Sequence, residues 1–293
     1  MNQPLVSVIV PTYNRSQLVL ETLESIQKQT YPSLELLVID DGSKDDTVAV
    51  VEQWINIHRE RFMNVQLIAN EQNKGKSGVV NQGFDLFTGG FVIVFDSDDL
   101  LLPDAIEKQI MYFQSRPALG ALCGGAFLLS GEQKTAEQFH PMRERENLDN
   151  LALQYGDLFL KGNPVISSTV LMKRNVVKET GYFHLNLRVT HDWDYWIRVS
   201  RRFTFGFLNT PLIYYRVNSD GSISQNKATL FNEVLKLISM YGPGYRRSTM
   251  VAMIFRQLKY HLWMAKNDRS AGQFMKIMYR GFAFLIRYGC VGR

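Results

Sequence analysis

Four apolar runs recur along the amino-terminal third of the chain, Leu5 to Val10, Leu34 to Ile39, Val65 to Ala69 and Phe91 to Phe95, and each ends in a cluster of polar side chains. Continuous apolarity, as opposed to strict alternation, marks strands buried on both faces. Helical patterns fill the intervals. The first carries Leu18, Val19, Leu23 and Ile26 and stops at Tyr31-Pro32; the second passes through Trp54 and Ile57; the third runs from Ser77 to Phe87. Strand–helix alternation of this kind predicts an α/β chain with a doubly wound, mostly parallel sheet flanked by helices. Ligands of such a sheet bind in the crevice at the carboxyl ends of its strands.

The side chains predicted at that rim are Pro11, Thr12, Tyr13 and Asn14; Asp40 and Asp41; Asn73, Lys74 and Lys76; and Asp96, Asp98 and Asp99. Three carboxylates within four residues repel one another, so their proximity makes sense around a cation, and hard oxygen ligands favour Mg²⁺ or Mn²⁺. A solvated acidic turn, with Asp98 or Asp99 capping a helix that begins near Pro103, is the plain alternative. Neither GxGxxG nor GxxxxGK[ST] occurs, which argues against an ordinary dinucleotide fold and against a P-loop.

Composition bounds the rest. At 45% hydrophobic and 21% charged, the 293 residues have the balance of a globular protein. Cys123 and Cys290 lie far apart without CxxC spacing, so neither a disulfide framework nor a zinc site is expected. The start, Met-Asn-Gln-Pro-Leu-Val-Ser, enters a strand pattern at once, and no run is long and apolar enough to span a bilayer, so the expected location is cytoplasmic. Charge is uneven: from Tyr245 onward ten basic residues face one acid, Asp268, a net +9 that leaves −4 for residues 1–244.

Beyond the fourth strand the pattern changes. Gly120 to Leu129 predicts a strand, 130–150 a polar, charged loop, and Asn163 to Met172 a strand returning to the sheet. In Thr190-His191-Asp192-Trp193-Asp194-Tyr195-Trp196-Ile197, the residues Trp193, Trp196 and Ile197 share a helical face, which puts Asp192 at a helix amino terminus, where the dipole stabilises a carboxylate. An N-cap role is open there beside a chemical one.

The motifs Val-Ser-Val-Ile-Val-Pro-Thr-Tyr-Asn-Arg, Leu-Leu-Val-Ile-Asp-Asp-Gly-Ser-Lys-Asp-Asp-Thr, the Asn73-to-Gly83 segment and Phe-Asp-Ser-Asp-Asp resemble, in order and spacing, those of the family-2 glycosyltransferases. The likeness covers about residues 5–220. It implies a GT-A fold over 1–225; the tail lies outside the likeness, and its own helical pattern and charge predict a basic amphipathic helical extension over 226–293. It also implies inverting transfer from a nucleotide-diphospho-sugar to a hydroxyl of a glycan or lipid-linked acceptor. By the same resemblance Pro11 and Tyr13 flank the nucleobase and Asp41 accepts a hydrogen bond from it. Asp98 is the main metal ligand, Asp96 meets the ribose, Lys76 reaches a phosphate, and Arg216 either clamps phosphate or serves local ion pairs. His191-Asp192 stands where relatives have Glu-Asp, making Asp192 the general base, and Asn218 replaces a frequent histidine. The Gln-x-x-Arg-Trp motif of processive relatives is absent, so one sugar per acceptor is expected.

Residues 245–293 suit peripheral contact with an anionic membrane on its inner face, and equally a helical cap packed on the domain. Nucleic acid is the least favoured partner. A noncatalytic nucleotide-sugar or glycan-binding module, or a nucleotidyltransferase on a similar sheet, are the other readings of the whole.

Overall fold

The computed structural model describes residues 3–130, 133–139, 152–153, 163–217, 227–242 and Ile254. They fall into two compact units, one drawn from residues within 1–185 and 195–220, the other from residues within 186–194 and 221–293.

The first unit is built on one sheet. Its amino-terminal half runs β1 (Val6–Thr12), α1 (Leu18–Gln27), β2 (Leu34–Asp40), α2 (Thr47–His58), β3 (Asn64–Ala69), α3 (Gly75–Leu86) and β4 (Phe91–Val94). There follow β5 (Leu100–Leu101), α4 (Ala105–Ser115), β6 (Leu119–Ser130), β7 (Gln133–Phe139), β8 (Ala152–Leu153), β9 (Leu171–Lys173), α5 (Arg174–Thr180), α6 (His191–Ser200), whose residues His191–Asp194 are counted in the second unit, and β10 (Thr204–Val217). The spatial order is β3-β2-β1-β4-β9-β6-β10-β5, with β7 on β6 and β8 on β10. β3, β2, β1 and β4 are parallel, as are β6 and β10, whereas β9 lies antiparallel between β4 and β6. The sheet is therefore mixed and mostly parallel.

Continuous apolarity has a simple cause here: both faces of the central strands are covered. On one face Val8, Val10, Leu36, Val38 and Ile93 join the α1 residues Val19, Leu23 and Ile26 in a single core cluster, each at most 1% exposed. On the other face α3 comes so close that a Cβ at Gly83 would fall 2.6 Å from Ile9 Cγ2 and 3.2 Å from Ile39 Cδ1. Each fully buried aliphatic side chain is worth about 1.5–3 kcal/mol relative to exposure, so register errors that expose one face are strongly disfavoured.

Three sequence expectations change. The span 163–172 is mostly not strand: Ser167–Thr169 form a 3-10 turn, and pairing begins only at Leu171. Part of the expected 130–150 loop is β7, antiparallel to β6. Lastly, α4 starts at Ala105 with Asp104 at its cap position, so Asp99 does not cap it.

In the second unit, α7 (Lys227–Tyr241) buries Phe231, Glu233, Val234, Leu237, Ile238 and Tyr241. Among the described residues no helix is long and apolar enough to cross a membrane.

Candidate active site

The parallel strands end level with one another. Thr12 pairs with Asp40, Asp40 pairs with Ala69, and Phe95 N–H donates to Ile9 O at 2.8 Å. Four loops thus leave the sheet from one line, and polar contacts knit them together.

The loop after β1 is stitched to the loop after β2. Asn14 adopts a left-handed backbone (φ 49°), a conformation asparagine tolerates better than most residues. Its Oδ1 accepts from Lys44 N–H and its own N–H donates to Ser43 Oγ, both at 2.8 Å. Asp40 folds the second loop by accepting from Gly42 N–H (3.0 Å), Ser43 N–H (2.8 Å) and the Ser43 hydroxyl. Gly42 has φ 79°, and a Cβ there would sit 3.3 Å from backbone atoms of Asn70, Gln72 and Asn73, so glycine suits both the turn and the close approach. Asp41 then ties in the third loop through Lys74 N–H (2.6 Å) and Gly75 N–H (3.0 Å). Burial pushes its carboxyl above the ordinary range, while those two donors pull the other way.

The acids after β4 close the ring. Lys76, in the first turn of α3, holds Nζ 2.6 Å from Asp96 Oδ1. Arg15 Nη1 lies 3.5 Å from Asp98 Oδ2, an ion pair longer than a good hydrogen bond. Asp99 turns inward: it is 1% exposed and accepts from the Ser168 hydroxyl (2.6 Å) and Arg216 N–H (2.9 Å). Burial drives the Asp99 carboxyl well above its usual range, and the charges of Asp96 and Asp98 add to the effect. Arg216 braces the turn, its Nε donating to the Asp98 carbonyl at 2.9 Å and its Nη2 pairing with Glu21 Oε2 at 2.7 Å. On the same strand the Tyr215 hydroxyl is pushed up to about 12, chiefly by burial and then by Asp99 and Asp96.

Carboxylate oxygens of Asp96, Asp98 and Asp99 all lie within 4.8 Å of one another. Such an all-oxygen donor set, bearing more than one negative charge, fits a hard divalent cation. Both Asp99 oxygens already accept from protein donors, so Asp98 and Asp96 are the acids best disposed to bind one. Pro11 is buried at the end of β1, whereas the Tyr13 ring is 43% exposed beside the rim.

Residues 7–181 match the model of the glycosyl transferase family 2. The chain belongs to that family. An uncharacterized glycosyltransferase of Haemophilus influenzae is 30% identical over 227 residues, covering 76% of this chain and 68% of its own. A UDP-Glc:α-D-GlcNAc-diphosphoundecaprenol β-1,3-glucosyltransferase of Escherichia coli, WfaP, is 26% identical over 79% of this chain and 83% of its own. Among solved structures, the mannosyltransferase PcManGT of Pyrobaculum calidifontis, in complex with GDP-Man and Mn²⁺, superposes with a TM-score of 0.66 at 18% identity, over 100% of this chain and 77% of its own. That likeness is one of fold, and this glycosyltransferase has the GT-A architecture.

Asp192 belongs to the second unit. α6 opens with His191 and Asp192, and Asp192 Oδ1 accepts from Trp193 N–H at 2.6 Å. Its charge thus sits at the positive end of the helix dipole. His191 Nδ1 lies 3.0 Å from Arg188 O, so Nδ1 carries the proton of a donor to that carbonyl. The fully buried Asp194 accepts from the Tyr241 hydroxyl at 2.5 Å.

Sequence reasoning brought Tyr13, Asp41, Lys76, Asp96 and Asp98 to one rim, where the first unit gathers them, and the structure adds Arg216 there through the Asp98 carbonyl and Glu21. That reasoning left Arg15, Glu21 and Ser168 without roles. Arg15 was in view at the end of Pro-Thr-Tyr-Asn-Arg, but nothing local ties it to acids eighty-odd residues later. Asn218 and residues 245–253 and 255–293 lie outside the described residues.

Proposed function

We propose that this glycosyltransferase performs inverting, non-processive transfer of a sugar from a nucleotide-diphospho-sugar to a hydroxyl of a glycan or lipid-linked saccharide, in polysaccharide assembly. The observation that carries the donor side is the ring of contacts in which Lys76 and Arg15 reach the acids Asp96 and Asp98. Two cations beside two carboxylates suit a diphosphate and a divalent cation together, because each charge on the ligand then meets its opposite.

Roles follow from position. Tyr13 offers an exposed aromatic face for stacking on the nucleobase, which Pro11, at the end of β1, would flank. Asp41 uses one lone pair per oxygen on Lys74 and Gly75, and a carboxylate keeps further acceptor capacity for a base N–H. Asp98, with Asp96, would hold Mg²⁺ or Mn²⁺, which when bound supplies Lewis-acid stabilisation of the leaving diphosphate. Lys76 and Arg15 neutralise phosphate charge on the same side. Arg216 holds the acid turn through Nε on the Asp98 carbonyl and pairs through Nη2 with Glu21, a guanidinium that would also suit a phosphate. Asp192 takes the proton of the acceptor hydroxyl as that oxygen bonds to the anomeric carbon and the bond from that carbon to the diphosphate oxygen breaks. One displacement from the opposite face inverts the anomeric centre and needs no covalent enzyme intermediate. The acceptor named for WfaP is lipid-linked, and the basic segment 245–293 suits an anionic membrane surface where such acceptors reside, on its cytoplasmic face.

A thermal-shift screen of UDP-glucose, UDP-N-acetylglucosamine and GDP-mannose with Mn²⁺ tests donor binding: one of them should raise Tm, and EDTA should abolish the rise. Asp192→Asn should cut turnover of that donor by about 10²–10⁴-fold with the Tm rise intact. Full activity in a folded Asp192→Asn protein would remove Asp192 from the mechanism.

A further inference from the structure

The carboxylate of Glu233, on α7, is 3% exposed and takes part in no ion pair among the described residues. It faces three consecutive backbone donors. Oε1 accepts from Arg188 N–H at 2.8 Å, and Oε2 accepts from Val189 N–H at 2.8 Å and Thr190 N–H at 2.9 Å, with the Thr190 hydroxyl at 3.2 Å. Burying a carboxylate is costly unless its lone pairs are met, and here N–H donors meet them. The three residues form the strap that leads directly into α6, whose first two residues are His191 and Asp192.

A second contact from the same helix reaches the same turn. Tyr241, eight residues beyond Glu233, donates its hydroxyl to the buried Asp194 at 2.5 Å. Eight residues are slightly more than two turns, about 12 Å along a helix, so α7 grips the start of α6 at two separated points. The strap adds an internal tie, His191 Nδ1 to Arg188 O. Asp192 lies between the two grips. An ordinary N-cap satisfies a helix amino terminus with a neighbouring side chain; here the orienting acid comes from forty-odd residues later in the chain.

We propose that Glu233 is a positioning residue for the transfer reaction: by holding the backbone of Arg188, Val189 and Thr190 it fixes the direction in which Asp192 presents its carboxylate, with Tyr241 securing the far side through Asp194. The inference rests on the general-base role proposed for Asp192. It also gives the segment after 226 a part in the chemistry that neither a membrane anchor nor a passive cap supplies. A base held loosely loses rate much more than it loses donor affinity, because orientation is needed at the transition state.

The test uses the full chain and the donor of the three above that the unmodified protein turns over to nucleoside diphosphate with water as acceptor. Glu233→Gln puts an amide donor among three N–H groups, while Glu233→Asp keeps the charge and Tyr241→Phe removes one hydroxyl. Glu233→Gln should lower kcat about 10–100-fold with donor KM within threefold, Glu233→Asp should recover part of the loss, and amide exchange at Arg188–Thr190 should quicken. In an Asp192→Asn background, Glu233→Gln should add no further loss, since residues acting as one unit are not additive. If Glu233→Gln destabilises the fold, Tyr241→Phe carries the same comparison, with a several-fold loss in kcat expected and none in the Asp192→Asn background. Unchanged kcat in folded Glu233→Gln, or a loss that multiplies fully with that of Asp192→Asn, overturns the positioning role alone. An Asp192→Asn protein with full activity overturns the base reading, and this inference with it.

Discussion

The two ends of the parallel strands β1 to β4 both bury acid, and they use it in opposite ways. At the amino ends of the strands stands Glu35, 0% exposed, accepting from the Ser7 hydroxyl (2.5 Å), Asn64 Nδ2 (3.0 Å), Thr88 N–H (2.7 Å) and the Thr88 hydroxyl (2.8 Å). Ser7 is on β1, Asn64 on β3, and Thr88 precedes β4, so this one carboxylate ties together the starts of four strands. Burial alone would raise its pKa, but those four neutral donors outweigh burial and hold it below its ordinary value. At the carboxyl ends, Asp99 is raised well above its ordinary range by burial and by two neighbouring carboxylates, and Asp96 and Asp98 face lysine and arginine side chains. An acid saturated by neutral donors is a fastening. Acids crowded together against cations form a place where charge can be exchanged for a ligand's.

The contrast can be broken most forcefully at Asp98. Asp98→Ala should reduce donor turnover by about 10³-fold, the size expected for losing several kcal/mol of charge stabilisation, while Tm without ligand stays nearly constant. A fall in Tm with activity preserved would mean that the rim is a fastening as well.

Glu35→Gln is the converse experiment. It should cost about 1–3 kcal/mol of stability through a mismatched buried group, with kcat of the folded protein unchanged. The pH sign follows from the depressed folded value. Glu35 contributes stability that is complete above its unfolded pKa and disappears as pH falls through the lower folded one. Urea melts across the acid range should therefore show a shallower acid loss for Glu35→Gln than for the unmodified protein.

The smallest effect belongs to Lys76→Met. It should weaken donor binding about threefold to tenfold at low salt, and less as salt screens the half-buried ammonium. Isothermal titration of the donor at two ionic strengths would read both numbers, and equal affinity of the two proteins at low salt would take Lys76 out of the phosphate site.

Much of this division was readable in the chain itself. Apolar runs covered on two faces must be central strands, and the polar clusters that end them must share a rim, because parallel strands all present their carboxyl ends on one side. That logic placed Pro11, Tyr13, Asp41, Lys76, Asp96 and Asp98 at the rim, Arg216 entering only through the family resemblance, and the helical face of Trp193, Trp196 and Ile197 put Asp192 at the opening of α6. The strand expected over 163–172 failed because its hydroxyls are used elsewhere. Ser168 reaches Asp99, and Thr169 Oγ1 accepts from Gly124 N–H at 3.1 Å, which favours a tight turn over a ladder.

The sequence by itself determined the alternation of strands and helices, the polar rim and the order of its motifs, since these depend on residues close together in the chain. Only the tertiary structure decided how each acid is used: that Asp99 points inward to Ser168 and the Arg216 backbone, that Arg15 answers Asp98, that Glu35 fastens four strands and that Glu233 grips the strap before Asp192. A carboxylate's behaviour is set by its burial and by the donors and charges within a few ångströms, and for each of these acids some or all of those groups come from distant parts of the chain.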